Sequence, residues 1–377
     1  MANAWKELEK YGQSLWYDNL SRSFIKGGKL QRMIDDLGLR GITSNPSIFE
    51  KSISGSDEYD HDIQASIREG LTTPQIYDRL TTDDVRAAAD VMRQVYDRTK
   101  GEDGYVSIEV DPGLAKKTHE TIEAACRLWK TVDRPNVMIK IPGTPEGIPA
   151  IRQCLTEGIN INITLLFGVE SYTNVANAFL DAMRTRKQQG QDIARIASVA
   201  SFFLSRVDTN VDQKLERKST EHSGQHDEIN GLFGKAAVAN AKLAYERYLE
   251  IFHGPEFAEL QSAGARPQRC LWASVSTKNP KYSDVMYIEP LIGSETVTTV
   301  PDETIEAFAD HGKIADTLKN GIDDAHKTIE QLARLGIDMD AVAEELQIEG
   351  VKKFVDAFET LSQNLDKKRH VIEEAMA

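Results

Sequence analysis

Cysteine is scarce in this chain. Its three cysteines, Cys126, Cys154 and Cys270, are scattered, with no close pair. That excludes a disulfide framework and a zinc motif built on paired cysteines, and it favours a reducing compartment. Long apolar runs are missing too, and no stretch approaches the length of a membrane span. The opening segment MANAWKELEKYGQSLWYDNL carries acidic residues and no apolar core of signal-peptide length. Positive charge is in deficit: 45 Lys and Arg stand against 59 Asp and Glu, for a formal net charge of -14. A general nucleic-acid or anionic-membrane surface is therefore not expected, although a few local cations suffice to bind a small anion. No Gly-x-Gly-x-x-Gly follows a strand pattern, IKGGKL lacks the phosphate-loop spacing, and no Ser/His/Asp constellation is visible. The expectation is a soluble cytoplasmic protein, monomer or homodimer, with small-molecule rather than nucleic-acid or membrane partners.

What is present is a repeat of two patterns. Short β-branched apolar segments fall at 15–20, 41–44, 105–110, 137–142, 159–167, 196–203, 270–275 and 286–292, and amphipathic helical stretches separate them. ESYTNVANAFLDAMRTRKQQG shows the helical signals: apolar residues recur at three and four, basic residues fill the last turns, and Gly190 closes it. Strands alternating with helices imply a parallel sheet, and eight repeats favour closure into a (β/α)8 barrel. No Gly/Ser-rich or Pro-rich linker divides the 377 residues, so one barrel domain is expected. Residues 314–377 carry no strand pattern and read as helices appended to the barrel. Their apolar face of Val342, Leu346, Phe354, Val355, Phe358, Leu361 and Leu365 is expected to pack on the outer ring.

In NVMIKIPG, Lys140 sits inside a strand that reads as buried on both faces, where an unpaired ammonium costs several kcal/mol. Similar polar intrusions recur at strand ends: Asp18, Asn45, Glu109, Asn162, Thr164, Ser201, Arg206, Ser274 and Lys278. In a barrel these positions gather at one mouth. A desolvated amine is a nucleophile toward carbonyls, carboxylates move protons, and small polar groups orient hydroxyls or a water. Arg206 and Lys278, on later loops, fit a phosphate site. These residues together suggest a Schiff-base enzyme acting on a phosphorylated carbonyl compound. The competing account of Lys140 is a salt-bridged or snorkelling strand-end lysine.

GITSNPSIF, IEVDP, VMIKIPGTPEGIPAI, GININITLLF and SVASFFLSRVD resemble, in order and spacing, the segments of the transaldolase family. LWASVSTKNPKYSD and YIEPLIGSETVTTVP resemble its longer bacterial form, and the likeness runs from about Leu15 to about Gly312. The resemblance implies a metal-free class I aldolase barrel of the pentose phosphate pathway, with no cofactor. Such an enzyme moves a dihydroxyacetone unit between sugar phosphates: sedoheptulose 7-phosphate and glyceraldehyde 3-phosphate exchange with erythrose 4-phosphate and fructose 6-phosphate. It implies Lys140 as the Schiff-base lysine, Asp18 as the carboxylate taking the C4-hydroxyl proton, and Glu109 with Thr164 as the pair holding a water. Asn45 and Asn162 match amides that hold the dihydroxyacetone hydroxyls, with Ser201 beside them, and Arg206 and Ser274 match the phosphate pocket. Shorter members carry Ser-x-Arg there, whereas here Ser274 leads into VSTKNP, which puts the second cation at Lys278. Glu109 and Phe203 agree with the transferase, since the small fructose 6-phosphate aldolases carry glutamine and tyrosine at those places. A simple aldolase and a non-catalytic phosphosugar-binding barrel stay open as alternatives. EHSGQHDE places His222 and His226 four apart, and its Ser and Gly make an exposed loop the plainer reading than a zinc site.

Overall fold

The computed structural model describes residues 4–221 and 226–376. Among them, eight parallel strands close in sequential order into a barrel: β1 (Gln13–Tyr17), β2 (Gly41–Ile42), β3 (Tyr105–Glu109), β4 (Val137–Pro142), β5 (Ile161–Leu166), β6 (Ser198–Phe203), β7 (Arg269–Ala273) and β8 (Thr296–Val300). Each strand is buried along its length because the barrel interior is filled with side chains on one face and the other is covered by helices. No helix among the described residues is long and apolar enough to cross a membrane.

The eighth strand corrects the sequence reading. Segment 286–292 is not a strand; it forms turns and a short 3-10 helix, Glu289–Leu291. Pro290 has no N–H to give a ladder, so these apolar residues are buried as a loop instead. β8 is TVTTV, three of its five residues threonine, and pairs with β1 from Gln13↔Thr296 to Tyr17↔Val300. Its polarity hid it, while its β-branched side chains suit the pleat.

Register places the site. Glu109 of β3 lies opposite Lys140 of β4, and Lys140 lies opposite Asn162 of β5, so three polar side chains sit abreast. Beyond Ile163 the β5 ladder shifts, and Leu165 takes a left-handed φ of 60°. Such a backbone costs a branched residue about 1–2 kcal/mol, so something must hold it there.

That holder is the C-terminal helix, Met339–Met376. It packs on the surrounding helices: Lys214 pairs with Glu345 at 2.7 Å, Lys368 with Asp60 at 2.7 Å, and Tyr77 meets Phe358 edge-on at 5.2 Å. Its N-terminal half, however, crosses the C-terminal mouth of the barrel rather than only its outer ring. Gln347 Nε2 donates to the carbonyls of Gly143 (3.0 Å) and Leu165 (3.2 Å), one beyond β4 and one in β5. Gly350 then lets the helix touch the strand, since a Cβ there would lie 2.9 Å from Leu165 Cδ2.

Candidate active site

A cavity of about 640 Å³ opens at the C-terminal ends of the strands. Asp18, Asn45, Lys140, Ser201, Phe203, Arg206, Ser274 and Lys278 line it, so residues from five strands or the loops after them meet in one space. Glu109, Asn162 and Thr164 do not line it, and lie instead within the strands beside Lys140.

Lys140 has a 5% exposed side chain, and Glu109 opposite it has 3%. Its Nζ is 3.3 Å from Glu109 Oε2 and donates to the Ser44 carbonyl at 3.2 Å. Burial pushes the Glu109 carboxyl above its ordinary range; the Lys140 charge pulls it back and Asp18 adds to the rise. A buried pair of this kind is costly to desolvate, and it is weak as a stability device, so its placement under an open cavity calls for a chemical reason.

Asn162 is fixed from both ends. Its Nδ2 donates to Ser107 Oγ at 3.0 Å, and its Oδ1 accepts from Ser201 Oγ at 2.7 Å. Thr164 Oγ1 is buried, and among the described residues it has no hydrogen-bond partner, so it makes no direct hydrogen bond to Glu109. Asn45 caps the helix Pro46–Ser54 by accepting from the Ile48 N–H at 3.1 Å, which leaves its NH2 as the group turned to other uses.

Asp18 accepts from Thr43 Oγ1 at 2.7 Å. Thr43 Oγ1 is also 2.6 Å from Thr299 Oγ1. Thr43 has one hydroxyl hydrogen and spends it on the carboxylate, so Thr299 is the donor in that second bond. Burial pushes the Asp18 carboxyl up; Lys140 and the Thr43 hydrogen bond oppose the rise. A carboxyl whose affinity for a proton is raised beside an amine is suited to taking and returning a proton.

The cationic end is built differently. Arg206, at the start of the helix Ser205–Glu221, lies over the Phe203 ring at 5.5 Å and the Phe354 ring at 5.9 Å. Its Nη1 is buried without a hydrogen-bond partner among the described residues, and burial lowers its ordinarily high pKa. Ser274, with φ 54°, bonds Ser205 Oγ at 2.9 Å, and exposed Lys278 donates to Ser276 Oγ at 2.6 Å. Guanidinium, hydroxyl and ammonium on one wall make a place for a phosphate dianion.

Thr43, Thr299, Ser107, Gln347 and Phe354 are additions that the sequence reading did not pick out as site residues. Small hydroxyls at strand ends carry no distinguishing pattern, and Phe354 reads only as one member of an apolar helical face. His222 lies outside the described residues. His226 is exposed with its Nδ1 2.9 Å from Ser219 Oγ, and no group of three metal-ligating side chains occurs among the described residues.

A family model described as Transaldolase/Fructose-6-phosphate aldolase matches residues 15–365. The chain is 47% identical over 366 residues to a protein of Trichodesmium erythraeum named Transaldolase, covering 96% of each. It is 48% identical over 371 residues to Transaldolase 2 of Nostoc punctiforme, covering 97% of each. To the Transaldolase of Thiobacillus denitrificans it is 46% identical over 359 residues, 95% of this chain and 98% of that one.

Proposed function

The chain belongs to the transaldolase/fructose-6-phosphate aldolase family, and we propose that Lys140 is the amine on which its reaction is carried. It acts as a transaldolase, moving a dihydroxyacetone unit from a ketose phosphate to an aldose phosphate. The observation that carries this reading is the position of Lys140 Nζ, buried at the floor of the cavity between Glu109 and the Ser44 carbonyl.

The steps follow from the side chains. Only an unprotonated amine can attack the donor's C2 carbonyl, and Glu109 at 3.3 Å is placed to take the proton. Its raised affinity for a proton eases that transfer. Loss of water gives a protonated imine, which is the electron sink. Asp18 then takes the proton of the C4 hydroxyl, the C3–C4 bond breaks, and its electron pair enters the imine to give an enamine on Lys140. The aldehyde leaves, an acceptor aldose phosphate enters, and the steps run in reverse. Glu109 and Thr164 are the groups for the water that forms and hydrolyses the imine. Asn45, Asn162 and Ser201 hold the hydroxyls of the three-carbon unit. Arg206, Ser274 and Lys278 bind the phosphate at the other end of the cavity. The same reading keeps the protein in the cytoplasm as a monomer or homodimer, a setting in which its three free cysteines stay reduced.

Borohydride reduction in the presence of fructose 6-phosphate tests it. A three-carbon adduct on the peptide containing Lys140 is expected, and Lys140→Met should keep its circular dichroism while losing adduct and turnover. Comparable turnover in that variant would refute the mechanism. Fructose 6-phosphate consumption that needs no erythrose 4-phosphate would favour the simple aldolase instead.

A further inference from the structure

Phe354 is 5% exposed, yet it lines the cavity, and it comes from the C-terminal helix rather than from the barrel. Its ring centroid lies 5.7 Å from Lys140 Nζ and 5.9 Å from Arg206 Cζ. Phe203 faces the same guanidinium at 5.5 Å, so two rings and two cations alternate across the site. Three helix residues spaced by three and four form one face here: Gln347 ties down the carbonyls of Gly143 and Leu165, Gly350 touches Leu165, and Phe354 reaches Lys140. The ring is thus set by two hydrogen bonds and a close backbone approach, which is more than a core side chain needs.

We propose that Phe354 is a specificity-determining residue: it keeps water from the enamine on Lys140, so the three-carbon unit waits for an aldehyde. This rests on the reading of Lys140 given above. The two fates of the enamine differ in one step. In release, C3 takes a proton, the electron pair of the C2–C3 double bond forms the new C–H bond, and the nitrogen is left as an iminium cation. Water then adds at C2, the C2–N bond breaks with its pair returning to Lys140, and dihydroxyacetone departs. In transfer, that same electron pair forms a C–C bond to the aldehyde carbon, whose oxygen takes the proton. Hydrolysis at C2 by the water held at Glu109 and Thr164 ends both fates, whereas a water that delivers a proton to C3 serves only the first, and an apolar ring on that side of the enamine removes it. The ring also offers its π face to the nitrogen cation, as an ammonium could not expect from water alone.

The test measures dihydroxyacetone released without acceptor against transfer to erythrose 4-phosphate, in the full chain and in Phe354→Gln and Phe354→Leu. Phe354→Gln keeps much of the volume but invites water, and should raise the release-to-transfer ratio about tenfold; Phe354→Leu, still apolar, should raise it less. Borohydride trapping on Lys140 in each variant shows that the site is formed. A ratio within about twofold of the parent in Phe354→Gln, with normal adduct, would show that the ring only packs. Equal ratios in the two variants would overturn exclusion by apolarity. Absence of the adduct in the parent would instead remove the reading of Lys140, and this proposal with it.

Discussion

Replacing Thr43 by Val should move the acid limb of the pH–rate profile upward. Asp18 accepts the Thr43 hydroxyl at 2.7 Å, and Thr43 in turn accepts from Thr299 at 2.6 Å, so the carboxylate ends a polarised chain of hydroxyls. Valine keeps the shape and removes the donor. A hydrogen bond to a charged group contributes about 1.5–3 kcal/mol, which corresponds to about 1–2 pH units. Asp18 lines an open cavity where water can replace part of that bond, so the lower end, about 1 unit, is expected. The sign follows from which form is bonded. The donor favours the ionised carboxylate, its loss favours the protonated one, and Asp18 works as a base in its ionised form. The kcat/KM of fructose 6-phosphate with saturating erythrose 4-phosphate should therefore fall at a higher pH in the variant and match the parent well above that limb. Thr299→Val should act in the same direction by less. An unmoved limb, or one moved to lower pH, would refute Asp18 as the base or the Thr43 bond as its support.

Arg206→Ala should raise KM for fructose 6-phosphate by about ten- to a hundredfold, the worth of a charge-assisted bond, while borohydride trapping of unphosphorylated dihydroxyacetone on Lys140 changes little; equal losses with both would show a general collapse of the site. Asp208, 1% exposed, accepts from the Ala237 N–H and Tyr287 Oη, and burial pushes it up from 3.8 to about 6. Its folded form holds a proton between those values that the unfolded chain has lost, so unfolding free energy should decline by about 3 kcal/mol as pH rises through that window and then level. Asp208→Asn should reduce the decline seen in urea titrations from pH 4 to 7 by about that amount, and an undiminished decline would place its source elsewhere.

Lys140 was legible in the sequence because a charge inside VMIKIP contradicts its surroundings, and register then carried it to Glu109 and Asn162. β4 could be bounded at Val137 and Pro142 from its β-branched run and the Pro-Gly that follows. β8 could not, because TVTTV carries hydroxyls where burial was expected, while the apolar segment at 286–292 lay close by and drew the assignment. Thr43 and Thr299 were invisible for a related reason: a threonine at a strand end looks the same whether it supports a carboxylate or merely pairs with backbone. The helical spacing around Phe354 showed that one face is covered, but periodicity holds no information about which surface does the covering.

The order in which these parts leave the ribosome has a consequence of its own. All eight strands, with Lys140 and Glu109, are synthesised before the helix beginning at Met339. A barrel can thus assemble around a reactive amine while Phe354 and Gln347 are still being added. On the roles proposed for Lys140 and Phe354, tailless chains would carry the nucleophile in an open bowl, accessible to any small aldehyde in their surroundings, and the last helix would turn a reactive lysine into a selective one.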